Sequence, residues 1–391
     1  MKVSKNLLTG SILVGAATLA IIGLNQPNNV SAMGNKPEAD SGSSAMMAKT
    51  YQATFYVAGM GGHFAKAVAT IDPNADIPIQ LSSLTKVDIG DGASHPTHDP
   101  RIDLTDTNTM FWSTYKVDPA TGAPHVGKTD LRTGKIITDV NAPLPSQATK
   151  TKSLYCASGQ TKDYFMPISM ANLGYIDVFR KSDMKREHTV FLEGTDADSG
   201  KPYKFYHGAT SNDMKKFLIT VNEADAPHGN TIGKLHLIEV DADAMTQGKV
   251  KVLQKGMAVG REKESISFRA DYSDDDTMIA ASYADRMILL DDKLNTLDAE
   301  MMPKHEQNHD AIFTPDGRYL VLTLRTKVVD PECKNPDAPG PDEFLMDGQL
   351  RLYDVQARKL IGKATSTCLA CHNQEGLESH AVLCGVDAVF N

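Results

Sequence analysis

His309-Asp-Ala-Ile-Phe-Thr-Pro-Asp-Gly-Arg-Tyr319 decides how this chain is to be read. A short apolar run leads into turn-forming residues at 314–317, and an aromatic opens the next run. The layout recurs at His207-Gly-Ala-Thr-Ser-Asn-Asp-Met-Lys-Lys-Phe217, again with a histidine ten positions before an aromatic. His380 to Phe390 keeps the offset, and looser copies run from Arg101 to Phe111, Leu154 to Tyr164 and Phe268 to Met278. Alternating runs such as 216–221, 234–240, 286–290 and 349–355 lie between them, and helical periodicity is almost absent after residue 50. A period of about 40–70 residues, with about four strands in each, predicts an all-β fold: a β-propeller of four-stranded blades.

Six copies can be counted, but the last is one strand long, and residues 50–90 offer about three strands with nothing before them. The physical solution is closure of one blade by both termini, with 380–390 as the inner strand and 50–90 as the outer ones, which leaves no open sheet edge. Phe313-Thr-Pro-Asp-Gly-Arg-Tyr-Leu320 and Lys128-Thr-Asp-Leu-Arg-Thr-Gly-Lys135 resemble the YVTN-type repeats of exported bacterial propellers, and the pattern extends over most of residues 50–391. Six blades fit the strand count; seven is the commoner number in the family it resembles.

The N-terminus reads as an export signal. Lys2 and Lys5 precede an apolar stretch from Leu7 to Leu24, and Val30-Ser31-Ala32 forms a small-x-small cleavage site. The expected division is a signal peptide over 1–32, cut after Ala32, a flexible leader over 33–49 and the propeller over 50–391. The product would be periplasmic or otherwise exported, with no integral membrane segment after cleavage. With 40 Lys+Arg against 49 Asp+Glu, the net charge of −9 gives no electrostatic reason to bind nucleic acid or an anionic membrane surface.

Cys368-Leu-Ala-Cys371-His372 carries the sharpest chemistry. Two thiols at C-x-x-C-H spacing add to the two vinyl groups of one haem c, and the adjacent histidine reaches the iron as proximal ligand. Cys368 and Cys371 are therefore the expected anchors and His372 the expected axial ligand. Only 19 residues follow His372, too few for a separate cytochrome domain, so the haem would sit in a propeller connection and be covered by the propeller. His207, His309 and His380, matched in register at inner-strand starts, should converge near the axis as distal ligands, catalytic groups or ligands of a second metal such as copper. His95 and His98 lie just before another inner strand and could join them. The bland alternative is a set of polar residues hydrogen-bonded across a wet channel.

The same segment supports a rival. Cys368, Cys371, His380 and Cys384 could hold zinc in C-x2-C…H-x3-C spacing without haem. Cys156, Cys333 and Cys384 leave room for one disulfide in an oxidising compartment, with Cys333–Cys384 and a pairing through Cys156 both open.

Propellers carrying a redox centre on one face include the haem domain of the haem nitrite reductases, the copper-cluster domain of nitrous oxide reductase and the heavy chain of methylamine dehydrogenase. This sequence resembles that broad group. The resemblance implies an exported mono-haem propeller that moves electrons to a protein partner and, if catalytic, acts on a small molecule at its funnel. The alternatives are a non-enzymatic docking subunit of a respiratory complex, and a copper- or zinc-binding propeller without haem.

Overall fold

The structure, a computed structural model, describes residues 49–59, 61–148, 154–170, 173–329, 344–367 and 385–391. Among these residues, 24 strands form six four-stranded antiparallel sheets, so the propeller has six blades rather than seven. Helix is confined to one turn, Ala242–Thr246, and a 3-10 turn at Ser146–Ala148. The inner strands are Thr97–Asp103, Tyr155–Gln160, Tyr203–Thr210, Ser267–Tyr272, Glu306–Phe313 and Val386–Phe390. The last of these pairs with Tyr51–Ala58, which continues into His63–Ile71 and Ile79–Asp88. Closure by the two ends of the propeller is therefore as the sequence implies.

The repeated turn has a local cause. In three blades a Ser or Thr hydroxyl donates to an Asp two residues on and accepts the main-chain N–H five residues on. The sets are Ser211, Asp213 and Lys216; Ser273, Asp275 and Met278; Thr314, Asp316 and Tyr319. The residue three after each hydroxyl takes positive φ: Met214 at 59°, Asp276 at 56° and Gly317 at 67°. The side chain thus supplies hydrogen bonds that the tight turn denies the backbone.

At the hub, aspartates accept main-chain N–H groups across three of the six junctions between inner strands. Asp271 accepts the N–H of Phe313 (3.1 Å), Asp310 that of Val386 (3.0 Å) and Asp387 that of Ile102 (2.7 Å). Each contact joins neighbouring blades where their strands come closest. Apolar cores lie between blades, as in the cluster of Phe55, Ile312, Val321, Leu352 and Val386.

Candidate functional site: the histidines at the hub

In five blades the pairing of the inner strand with its neighbour slips at one common level: between Thr97 and Asp99, Tyr155 and Ala157, Tyr203 and Tyr206, Ser267 and Ala270, and Asn308 and Asp310. A bulge re-aims the residue at the slip. The residues so placed include His98, Cys156, Phe268, Arg269 and His309, and His207 follows the slip in its own strand by one residue. His98, His207 and His309 are at most 3% exposed and close enough to influence one another's charge.

Aromatic rings hold them. Phe268 stacks on His309 with centroids 3.8 Å apart and planes 18° apart, and meets His207 edge-on at 6.3 Å. Phe205 lies 4.9 Å from His207, and Tyr115 lies 4.3 Å from His98. Among the described residues, neither ring nitrogen of His207 or His309 makes a hydrogen bond, nor does Nδ1 of His98. Burial first, then the positive charges of Arg269 and, for His98 and His309, Arg325, holds these imidazoles well below their usual range. They are neutral at pH 7, with a nitrogen lone pair available as ligand or base.

Arg269 is fully buried beneath them and crosses the hub. It donates to the carbonyls of His98 (2.5 Å) and Cys156, pairs with Asp99 at 3.3 Å and lies 3.8 Å from Asp310. Its contacts therefore reach three other inner strands. On the opposite mouth, Arg101, Asp271, Tyr272, Phe313, Asp387 and Phe390 line a funnel of about 340 Å³. Burial pushes the Asp271 carboxyl up to about 8 against the pull of Arg101, with a further push from Asp387. The same burial lifts Asp310 and Asp387 to about 6, opposed chiefly by Arg101.

These shifts fix a sign. Between about pH 4 and 8 the folded chain holds a proton on Asp271 that the unfolded chain has released, so this group lowers stability as pH rises. The decline approaches ~1.4 kcal/mol per pH unit while only one state is protonated. Urea unfolding of Asp271→Asn is expected to give a curve flatter by that slope between pH 6 and 8. Parallel curves for the two proteins would rule out a protonated Asp271.

The sequence-derived sites divide in three. His207, His309 and His98 are brought together at the hub. His95 is not; it turns away toward His125 and Asp139. Cys368, Cys371, His372 and His380, with Cys333 and Cys384, lie outside the described residues, while Cys156 is buried on its inner strand. The ten-residue offset misplaces three copies: Cys156 rather than Leu154 lies at the slip in its strand, and Asp387, whose bond to Ile102 matches that of Asp271 to Phe313, lies seven residues after His380 against three between Phe268 and Asp271. The third is the copy at Arg101. Arg101 pairs with Phe111, and His98, three residues earlier, occupies the hub level. The connection there is only Leu104-Thr105, against five residues between Thr210 and Lys216, so the spacing slides. Arg269 and its acidic partners carry no local motif; matching Phe268-Arg269 with His309-Asp310 by blade register is the signal that finds them.

The residues flanking 368–384 bear directly on the site. Gly385 donates its N–H to the His98 carbonyl at 3.1 Å. A Cβ on it would meet Pro100 Cδ at 2.8 Å, the His98 carbonyl oxygen at 3.1 Å and Arg269 Nε at 3.2 Å, so a side chain would crowd the hub. At the other end, Thr367 is buried and donates to Gly348.

No protein-family model and no curated protein matches the chain. Solved structures with a similar fold include a nidogen/laminin complex (11% identity, 87% of this chain and 98% of that one, TM-score 0.51). Others are a Bacteroides caccae protein of unknown function (8%, 86% and 99%, TM-score 0.47) and Kuenenia stuttgartiensis hydrazine synthase (13%, 69% and 65%, TM-score 0.42). The match thus spans 65% of the hydrazine synthase chain. At these identities the likeness concerns the fold alone. No helix among the described residues is long and apolar enough to cross a membrane.

Proposed function

We propose that this protein is an exported mono-haem c propeller that relays electrons at its hub. The observation that carries the reading is the placement of Gly385. The chain that leaves the Glu306–Phe313 blade at Thr367 and carries Cys368-x-x-Cys371-His372 returns, at Gly385, against His98 and Arg269. The hub that Gly385 joins through His98 and Arg269 also holds three buried, neutral imidazoles whose lone pairs are uncommitted among the described residues. Such a donor set fits a haem iron.

Cys368 and Cys371 would hold the porphyrin and His372 the iron, with His309, His207, His98 or His380 as second ligand or proton donor. The bound haem supplies one-electron transfer. The chain's own contribution is to exclude water from the hub, keep the imidazoles neutral and fix the His309 ring by stacking on Phe268. Asp271 retains a proton at neutral pH in the opposite funnel, where a small-molecule substrate could be protonated. A protein partner would deliver or remove the electron.

Production with export and haem-maturation machinery is expected to give a pyridine haemochrome spectrum and one covalent haem by intact mass. Protein of unmodified mass would overturn the proposal, and bound zinc or copper in its place would support the metal-only alternative. In the haem protein His309→Ala is expected to convert a low-spin spectrum to high-spin and open the iron to CO. A low-spin resting state marks a relay; a high-spin resting state with ready CO binding marks a catalyst.

A further inference from the structure

We infer a metal site outside the hub, in the blade whose inner strand is Thr97–Asp103, formed by His95, His125 and Asp139 and suited to a late first-row divalent ion, Zn2+ or Cu2+. His95 precedes the inner strand, His125 begins the third strand (His125–Asp130), and Asp139 lies on the fourth (Lys135–Asn141). Their ligand atoms lie within 4.8 Å of one another. His95 Nε2 is 3.0 Å from Asp139 Oδ2, and His125 Nδ1 is 2.8 Å from Asp139 Oδ1. The two imidazoles lie 4.0 Å apart, centroid to centroid, at 39°.

Counting protons points to a cation. The Ser94 hydroxyl donates to Asp91 at 3.1 Å and contacts His95 Nδ1 at 2.7 Å. When that hydroxyl hydrogen lies on Asp91, its oxygen is free to accept from His95 Nδ1–H, and in that tautomer His95 presents a bare Nε2 to the Asp139 carboxylate. His125 stands between two carboxylates, Asp139 at Nδ1 and Asp118 at 3.5 Å from Nε2. That Nε2 is buried without a hydrogen bond, in a side chain whose residue is 8% exposed. A neutral His125 carries only one proton, so one of its nitrogens faces a carboxylate lone pair to lone pair.

One divalent ion removes the conflict. It takes the lone pairs of His95 Nε2 and His125 Nδ1 together with Asp139, while the remaining ring protons go to Ser94 and Asp118. That is the outer-shell arrangement by which metal-bound histidines are oriented. Two nitrogens and a carboxylate suit Zn2+ or Cu2+ better than Ca2+ or Mg2+, which prefer all-oxygen shells. Donors bound at about 2.0–2.2 Å lie roughly 3.3 Å apart in a tetrahedron, so the two His–Asp139 contacts, at 3.0 and 2.8 Å, need spread by only a few tenths of an ångström. Three protein ligands leave a fourth position for water or substrate.

The test is titration of the purified protein with ZnCl2 alone and, separately, CuCl2 alone. Asp139→Asn, His95→Gln and His125→Gln are compared with His305→Gln, an exposed histidine outside the cluster. Wild type and His305→Gln are expected to bind one equivalent that each cluster variant binds at least 10-fold more weakly. The Cu2+ EPR spectrum should show coupling to two imidazole nitrogens. Asp139 is the most exposed member and its isosteric amide is expected to fold, so loss of binding there is not loss of structure. Equal affinity in wild type and Asp139→Asn, or thiolate rather than imidazole coordination of the bound ion, would overturn the proposal.

Discussion

Replacing Cys368 and Cys371 together by alanine is expected to reduce covalent haem from one per chain to below about one-twentieth, with the propeller still folded. Each thioether needs its own thiol, so the single variants should keep a reduced, singly linked haem. Both cysteines fall outside the described residues, whose 24 strands and apolar clusters form the propeller, and far-UV circular dichroism is expected to match the parent. Haem stain after denaturing electrophoresis, with intact mass, reads the result directly. If zinc occupied this segment instead, the double variant would lose a metal ion while the parent had no haem absorption to lose. The two measurements together separate the readings.

Arg269→Leu is expected to be the most damaging single change at the hub. The guanidinium is fully buried, contacts the Asp99 and Asp310 carboxylates, and donates to the carbonyls of His98 and Cys156, the latter on a third inner strand. Leucine fills much of the space but leaves buried acids and carbonyls without their donor. Breaking a buried pair from one side costs about 3–5 kcal/mol. For a chain of this size, with an unfolding entropy of about 2.1 cal/mol/K per residue, that lowers Tm by about 4–7 °C. Arg269→Lys, which keeps the charge but loses the fork, should fall between the two. A Tm within about 2 °C of the parent for Arg269→Leu would show that the hub is not held through this residue.

Much of the fold is legible because the propeller is made of local units. The Ser/Thr-x-Asp turn at 211–213, 273–275 and 314–316 marks the end of an inner strand from side chains alone, and the unmatched strands at the two ends imply closure. Convergence of His207 and His309 follows from register, since every inner strand meets the axis at the same level. Two things escaped that logic. Arg269 works through residues 113 and 171 positions away, a separation at which no local pattern signals a contact. His95 and His98, both expected at the hub, straddle the start of one strand; the slip at Thr97–Asp99 aims the second inward, while the first pairs with Asp139.

The strand Val386–Phe390 is the latest part of the ring to be synthesised, yet it occupies an innermost position beside Tyr51–Ala58. Until it docks, the other five sheets and the three earliest strands can form only an unsealed arc, with the Tyr51–Ala58 edge bare. The C-x-x-C-H segment emerges immediately before this latch. Any enzyme that modifies its thiols therefore has a natural interval in which to work, after most blades exist and before the circle locks. Maturation and folding would then be ordered in time by chain connectivity alone.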